Sequence, residues 1–158
     1  MTISSFEGDH RFLSNFWYVS IIYDGAVYAS VEHAFQAAKS SELADREAIR
    51  RIKKPGDAKR YGQTIQLGSN WESLKRGIML DLLRQKFGIN LSQHRYLRSG
   101  LLATGNEKLI EGNTWHDNYW GVCYCYACNR ERNRETPDLG KNWLGKLLMH
   151  VRQEIQLE

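Results

Sequence analysis

Several motifs that define common enzyme classes are missing from this chain of 158 residues. It has neither of the two common glycine-rich loops that cradle phosphate, no His-Glu-x-x-His motif and no Gly-x-Ser-x-Gly motif. Their absence excludes the commonest nucleotide hydrolases and simple serine esterases. Internal repeats, low-complexity tracts and linkers are also missing, so we expect residues 1–158 to form a single domain.

Membrane and export signals are missing as well. No apolar run approaches the roughly 20 residues that a membrane-spanning helix needs. The segment Met1–Glu7 has neither the basic start nor the apolar core of a secretory signal. We therefore expect a cytoplasmic protein with no membrane partner.

Cysteine is scarce, with three residues that all lie between positions 123 and 128. An odd, clustered set argues against a disulfide framework. A closed zinc site would need a fourth ligand beside Cys123, Cys125 and Cys128. The nearest candidate in the sequence is His116. A firm zinc signature has two spaced pairs and this chain has one cluster, so we predict no metal and retain the three cysteines as alternative zinc ligands.

The charge balance is mildly basic. Lys and Arg total 22 against 18 Asp and Glu, which gives a net charge of +4 and an isoelectric point near 9.0. This excess fits a partner that carries phosphate groups, although many basic proteins bind no nucleic acid.

The local sequence pattern predicts a hairpin followed by a helix. Aromatic and β-branched residues are frequent at positions 16–23 and 26–29, and the Asp24-Gly25 pair between them is typical of a two-residue turn. Ser30 is then a candidate to cap a helix over residues 31–39.

Further helices and a short strand are predicted along the rest of the chain. Pro55 is expected to stop one helix, and Asn70 is expected to cap another. The predicted helices cover residues 44–54, 57–61, 71–87, 92–103 and 142–155, with a strand at 108–111, an irregular aromatic segment at 118–128 and a polar loop at 129–138. These patterns indicate an α+β fold that is predominantly helical, with a small antiparallel hairpin or sheet.

One face of the first helix carries ionisable groups. Glu32, Phe35, Gln36 and Lys39 fall at helical spacing and share that face. A helix face that is half apolar and half ionisable differs from the uniformly apolar face that packs in a protein core. It fits either a catalytic surface or a partly buried helix on which Lys39 extends to solvent.

Two other segments contain candidate binding residues. Trp71, Lys75 and Met79 repeat at helical spacing, which fits a binding face or an ordinary core beside a solvated lysine. The segment 114–121 places aromatic rings beside Asp117. Such rings suit a flat heterocycle that carries a sugar, and they equally suit a surface loop.

A series of sequence blocks, kept in order and spacing, resembles the NADAR (YbiA-like) family. The family opening reads F-S-N-F, then D-G, then E-H-x-F-Q-x-x-K. The matching blocks are Phe12–Phe16, Asp24-Gly25, Val31–Lys39, Asn70–Lys75 with Met79, Lys86-Phe87, Leu101–Gly105, Leu109–Glu111, Asp117–Gly121 and Gly140–Met149 with Arg152. The resemblance covers about residues 12–155.

The resemblance implies an N-glycosidase, a hydrolase that cleaves the bond between ribose C1 and the exocyclic amine of a base. Family members act, or are proposed to act, on ADP-ribose attached to guanine in DNA and on ribosylaminopyrimidine phosphates of riboflavin biosynthesis. We expect the first substrate, with the second as an alternative and a non-catalytic ADP-ribose-binding module as a third. A toxin that ADP-ribosylates DNA is the partner expected with the first, and no cofactor is expected.

The family motif also implies roles for individual residues. Lys39 is the expected nucleophile, because a neutral lysine can form a Schiff base with C1. Glu32 and Asp117 are the expected acid–base groups. An ordinary glycosidase would use such a carboxylate pair without any lysine. The residues expected to bind substrate are Ser14, Asn15, Phe16, Phe35, Gln36, Trp71, Lys75, Trp120, Gly121, Asn142 and Arg152.

Two departures from the family pattern border the expected pocket. The start of the chain is shortened to Phe6–Arg11, and residues at about 122–139 form an insertion that holds all three cysteines. Both departures bear on substrate choice more than on reaction type.

Overall fold

The computed structural model describes residues 1–88, 94–131 and 140–158. By its backbone contacts the chain divides into two compact units. The central unit is Asn15–Arg95, and the terminal unit combines Met1–Ser14 with Tyr96–Glu158. In chain order the elements are β1 (Thr2–Ile3), a 3₁₀ helix (Gly8–Leu13), β2 (Ile21–Tyr23), β3 (Ala26–Tyr28), α1 (Val31–Ala37), α2 (Leu43–Arg51), α3 (Pro55–Gly62), α4 (Trp71–Phe87), α5 (Arg95–Ala103), β4 (Lys108–Leu109), β5 (Gly112–Asn113), β6 (Val122–Cys123), α6 (Tyr126–Glu131) and α7 (Trp143–Gln156).

The hairpin of the central unit confirms the predicted turn. β2 and β3 pair antiparallel. Asp24 and Gly25 have φ values of 47° and 77°, the left-handed conformations that a tight two-residue turn requires. The strands are shorter than predicted, because β2 begins at Ile21 rather than at residue 16.

Helix α1 is buried along its whole length in the central unit. Ser30 caps it as predicted, since its Oγ accepts a hydrogen bond from the backbone N–H of His33 at 3.2 Å. The carbonyl of Asn15 accepts from the backbone N–H of Glu32 at 3.1 Å, so the segment before β2 secures the first helical turn. Helices α2, α3 and α4 pack against α1. The helix with the predicted chemistry is therefore at the centre of its unit.

The predicted role of Pro55 was wrong. Pro55 is the first residue of α3, where its missing N–H and fixed φ are well tolerated. Helix α2 instead ends at Arg51, because the following Ile52 is extended, with a ψ of 133°. Helix α4 has the predicted bounds, but the side chain of Asn70 forms no capping hydrogen bond.

The terminal unit contains two short parallel strand pairs, β1 with β4 and β5 with β6. The strand predicted at 108–111 is present over its first two residues as β4. The strands β1, β5 and β6 and both pairings were not predicted, because two-residue strands are too short to show an alternation of polar and apolar residues. The segment 118–128 was predicted to be irregular, but it contains β6 and the start of α6. Helix α7 packs on β4. The predictions for residues 92–93 and 132–138 lie outside the described residues.

The predicted fold class is confirmed, because helices dominate and the strands form small pairs. No helix within the described ranges is both long and apolar enough to cross a membrane. The single domain with an insertion at about 122–139 stays a prediction.

Candidate active site

The predicted face of α1 is buried in the central unit. Glu32, Phe35 and Gln36 are 6%, 4% and 3% exposed. Gln36 donates from Nε2 to Oε1 of Glu32 at 2.6 Å, which holds the carboxylate in place. The rings of Phe35 and Trp71 lie 5.3 Å apart, centroid to centroid, at an angle of 52°. The face of α1 and the first residue of α4 thus form one continuous buried surface.

Lys39 follows α1 and is half-buried, with its Nζ 6.0 Å from the centroid of the Phe35 ring. Burial lowers the pKa of the Lys39 amine below its ordinary value. The carboxylate of Glu32 opposes this effect, whereas the ammonium groups of Lys59 and Lys75 lower the pKa further. A lowered pKa increases the neutral fraction of the amine, which is the form that acts as a nucleophile.

Lys59 is a member of this cluster that sequence reasoning missed. It lies on α3, which packs directly on α1, and its charge acts on Lys39. Lys75 was predicted, and its Nζ also forms an ion pair with Oε2 of Glu72 at 2.5 Å. No sequence spacing relates residue 59 to residue 39, so only the packing of the two helices reveals the connection.

Two buried amide oxygens have no hydrogen-bond partner among the described residues. They are Oδ1 of Asn15 and Oε1 of Gln36. The nitrogen of each amide is used, because Asn15 Nδ2 donates to Sδ of Met79 at 3.5 Å and Gln36 Nε2 donates to Glu32. Buried polar atoms are rarely left unpaired in folded proteins. Both oxygens therefore retain an unused capacity to accept a hydrogen bond, and that of Gln36 lies against Gly62.

Gly62, the last residue of α3, makes room for the side chain of Gln36. A Cβ at position 62 would lie 1.8 Å from Oε1 and 3.2 Å from Cβ of Gln36. A larger residue would therefore displace the whole Gln36 side chain rather than its flexible end alone.

Two further predicted binding residues lie before the hairpin. Phe16 belongs to the central unit and is 39% exposed, which leaves part of its ring accessible. Ser14 belongs to the terminal unit, where its backbone N–H donates to the carbonyl of Arg11 at 3.0 Å.

Asp117 lies in a turn of the terminal unit and stabilises it. Its Oδ1 accepts hydrogen bonds from the backbone N–H groups of Tyr119, at 3.1 Å, and Trp120, at 2.9 Å. The ring of Tyr119 meets that of Trp120 edge-on, with centroids 4.9 Å apart. One carboxylate oxygen of Asp117 therefore organises the turn that presents Trp120.

Asn142 connects the start of α7 to the strand region of the terminal unit. Its Oδ1 accepts from the backbone N–H of Glu111 at 3.0 Å, and its Nδ2 donates to the carbonyl of Leu109 at 2.8 Å. Gly121 lies close to the same backbone, because a Cβ there would be 2.1 Å from the carbonyl oxygen of Glu111. The side chain of Asn142 is thus engaged in holding the fold.

Arg152 is also engaged within the terminal unit. Its guanidinium donates to Oγ1 of Thr104 at 2.7 Å and to the carbonyl of Glu107 at 2.9 Å. Burial lowers the pKa of Arg152, and the charge of Glu107 opposes that effect. These bonds are structural, and a phosphate contact by Arg152 stays a prediction.

An open groove of about 540 Å³ also lies in the terminal unit, with Ser4, Trp115 and Tyr124 among its lining residues. None of the predicted site residues lines this groove, so its size alone assigns it no part in the chemistry.

The alternative zinc ligands are together in the terminal unit. The ligand atoms of His116, Cys123, Cys125 and Cys128 all lie within 4.8 Å of one another. None of the three thiols is in a disulfide bond.

Comparison with known proteins gives a consistent result. Residues 4–156 match the NADAR domain family model. The N-glycosidase YbiA of Escherichia coli is 38% identical over 156 residues, which cover 98% of this chain and 87% of that protein. A riboflavin biosynthesis protein of Vibrio vulnificus is 31% identical over 152 residues, 95% of this chain and 37% of that longer protein. The NMR structure of E. coli YbiA matches with a TM-score of 0.78 at 36% identity and covers 99% of this chain and 84% of that one.

Proposed function

The chain belongs to the NADAR domain family, and from this premise we propose that it is an N-glycosidase that hydrolyses a bond between ribose C1 and the exocyclic amine of a base. The observation that carries the proposal is the half-buried amine of Lys39, whose pKa is lowered by burial and which is acted on by the charge of the buried Glu32 carboxylate. Lys39 follows α1 in the turn that closes this helix, where its backbone N–H donates to the carbonyl of Gln36, so the nucleophile and the proton-transfer group lie on one short segment.

The reaction begins with opening of the sugar ring. A ribose on an exocyclic amine is a cyclic aminal, so the bond between C1 and the ring oxygen can break. The exocyclic nitrogen loses its proton, the ring oxygen gains one, and C1 becomes the carbon of an imine. The carboxylate of Glu32 on α1 is the proposed proton carrier, which takes the first proton and delivers it to the ring oxygen.

Lys39 then exchanges places with the base. Its neutral Nζ adds to C1, its two protons pass in turn to the exocyclic nitrogen, and the base leaves as a free amine. C1 remains bound to Nζ as a Schiff base. Water adds to C1, the bond to Nζ breaks, and the sugar leaves as an aldehyde that closes its ring again. Asp117 is the proposed second acid–base group.

We propose ADP-ribose on guanine in DNA as the substrate. A chain with a net charge of +4 and three lysines near one another suits a ligand rich in phosphates. Trp71 and Trp120 are each proposed as residues that stack on a base. This activity would reverse the modification made by a DNA ADP-ribosyltransferase toxin.

Hydrolysis of ribosylaminopyrimidine phosphates is the second candidate. The observation that favours it is the name of the Vibrio vulnificus relative, a riboflavin biosynthesis protein. Ribosylaminopyrimidine phosphates also carry an aminal at C1, so the same residues would catalyse their hydrolysis. A non-catalytic ADP-ribose reader is the third candidate, and it would need no nucleophile at position 39.

The test compares both substrates in parallel. DNA carrying ADP-ribosylated guanine and a ribosylaminopyrimidine phosphate are each incubated with wild type and with Lys39→Ala, and sugar release is measured by mass spectrometry. Release of ADP-ribose by wild type but not by Lys39→Ala supports the proposal. Release of ribose phosphate without any release of ADP-ribose supports the second candidate. Binding of ADP-ribose without release from either substrate would leave only the reader.

Borohydride reduction distinguishes a Schiff-base mechanism at Lys39 from hydrolysis by a pair of carboxylates. A Schiff base reduced during turnover leaves the sugar attached to Lys39. Turnover without any trapped adduct, together with an active Lys39→Ala variant, would replace the lysine mechanism with a carboxylate pair.

A further inference from the structure

Four metal-binding side chains converge in the terminal unit, and we infer that they form a structural zinc site. The donors are His116, in the turn after β5, and Cys123, Cys125 and Cys128, at β6 and the start of α6. None of them is required by the proposed glycosidase chemistry, so the inference stands independently of that proposal.

The separations between the donors fit a tetrahedral ion. Nδ1 of His116 lies 3.4 Å from Sγ of Cys125 and 3.4 Å from Sγ of Cys128. Bonds of about 2.3 Å from zinc to sulfur and about 2.0 Å to nitrogen place tetrahedral ligand atoms about 3.5 to 3.8 Å apart. All four donors already lie within 4.8 Å of one another, so only small side-chain rotations separate this arrangement from ideal coordination.

Each of the three sulfur atoms also accepts an N–H hydrogen bond. Sγ of Cys123 accepts from the backbone of His116 at 3.3 Å and of Cys125 at 3.5 Å. Sγ of Cys125 accepts from the backbone of Cys128 at 3.4 Å, and Sγ of Cys128 accepts from Nδ2 of Asn118 at 3.3 Å. Such donors stabilise a thiolate, which is the form of cysteine that binds a metal, and they orient the ligands around the ion.

The chemistry of the donor set selects the metal and its role. Three sulfurs and one imidazole nitrogen in a tetrahedral arrangement favour zinc and disfavour magnesium or calcium. Four protein ligands close the coordination sphere and leave no position for a reacting water. The ion would join residues 116 and 128, and it would thereby fix the turn that contains Asp117 and Trp120.

Metal analysis of the full chain tests the inference. The protein is purified under reducing conditions without a metal-affinity step, and zinc is measured by plasma mass spectrometry. We expect about one zinc ion per chain in wild type, loss of zinc in Cys128→Ser and His116→Ala, and retention in His116→Cys, which restores four ligands. His150→Ala is the matched control, because this exposed histidine lies outside the cluster and its loss should leave zinc unchanged.

A second measurement on wild type avoids any variant that fails to fold. Removal of zinc by a chelator should lower the melting temperature by about 10 °C, and added zinc should restore it. Cobalt added to the stripped protein should give the visible absorption of a tetrahedral thiolate complex. Wild type that carries no zinc and takes up neither metal, or that holds two of the cysteines as a disulfide, would overturn the inference.

Discussion

The candidate site residues of the central and terminal units differ in how their polar groups are engaged. In the central unit, the amide oxygens of Asn15 and Gln36 have no partner among the described residues, and the pKa of Lys39 is lowered by burial. In the terminal unit, the side chains of Asp117 and Asn142 are engaged with the backbone. A buried polar group without a protein partner lowers stability, whereas a paired group fixes a shape. We therefore expect Lys39 to be needed chiefly for turnover and Asn142 chiefly for stability, with Asp117 between them.

The largest expected effect is at Lys39. Lys39→Arg keeps the positive charge but cannot form a Schiff base, so turnover should fall by at least about 1000-fold. The free energy of unfolding should change by less than about 1 kcal/mol, because arginine keeps the charge and the side chain is only half-buried. Single-turnover kinetics and urea denaturation measure the two quantities. Lys75→Arg is the matched control and should retain most of the turnover; a Lys39→Arg variant that does so as well would contradict the lysine mechanism.

Asp117 tests whether one residue contributes both to turnover and to the stability of its turn. In Asp117→Asn the amide oxygen can still accept the two backbone N–H bonds, so the free energy of unfolding should change by less than about 0.5 kcal/mol. Turnover should fall about 100-fold, because an amide cannot transfer the proton. Asp117→Ala should also lose about 1–3 kcal/mol of stability, since both N–H groups lose their acceptor. Full turnover in Asp117→Asn would show that the residue only shapes the turn.

Asn142 tests the opposite case, in which a mutation lowers stability and leaves turnover unchanged. Asn142→Ala removes two buried hydrogen bonds and places alanine at a left-handed φ of 51°, so unfolding should become easier by about 2–4 kcal/mol. Asn142→Gly loses the same bonds without the backbone strain and should be about 1 kcal/mol more stable than the alanine variant. Turnover per folded molecule should remain near that of wild type in both. A raised KM with unchanged unfolding would instead make Asn142 a substrate-binding residue.

The smallest expected effect is a shift of the pH profile. The neutral form of Lys39 reacts, so kcat/KM should rise as pH rises through the pKa of this amine. Glu32 raises that pKa and Lys75 lowers it. The acidic limb should therefore move to lower pH in Glu32→Gln, on top of a lower rate, and to higher pH in Lys75→Met. If the acidic limbs of the two variants shift in the same direction, or neither shifts, a group other than Lys39 controls the rate.

Much of the helical framework could be predicted because its signals are local. The bounds of α4 follow from a long amphipathic pattern, and the cap at Ser30 follows from a polar residue before an apolar run. Pro55 was assigned wrongly because proline is found both after one helix and at the start of the next, and its neighbours do not separate the two cases. The pairing of β1 with β4 joins residues more than 100 positions apart, and β5 and β6 are too short for a sequence pattern to show.

The candidate site shows the same difference between what local sequence patterns predict and what depends on packing. Helical spacing predicted that Glu32, Phe35, Gln36 and Lys39 share one face of a helix over residues 31–39. The structure places the first three on α1, which ends at Ala37, and Lys39 follows with its Nζ 6.0 Å from the Phe35 ring. The charge of Lys59 near Lys39 depends on the packing of two helices, and sequence spacing carries no information about it.

The close approach of Gly62 to Gln36 limits how this protein can be redesigned. Every replacement adds at least a Cβ, which would displace Gln36 and, through their 2.6 Å hydrogen bond, the carboxylate of Glu32. In a mutational library selected for activity, position 62 would therefore be depleted of variants as severely as the reactive positions. Efforts to alter substrate range would do better to diversify Phe16, whose ring is partly exposed, than to introduce any side chain at position 62.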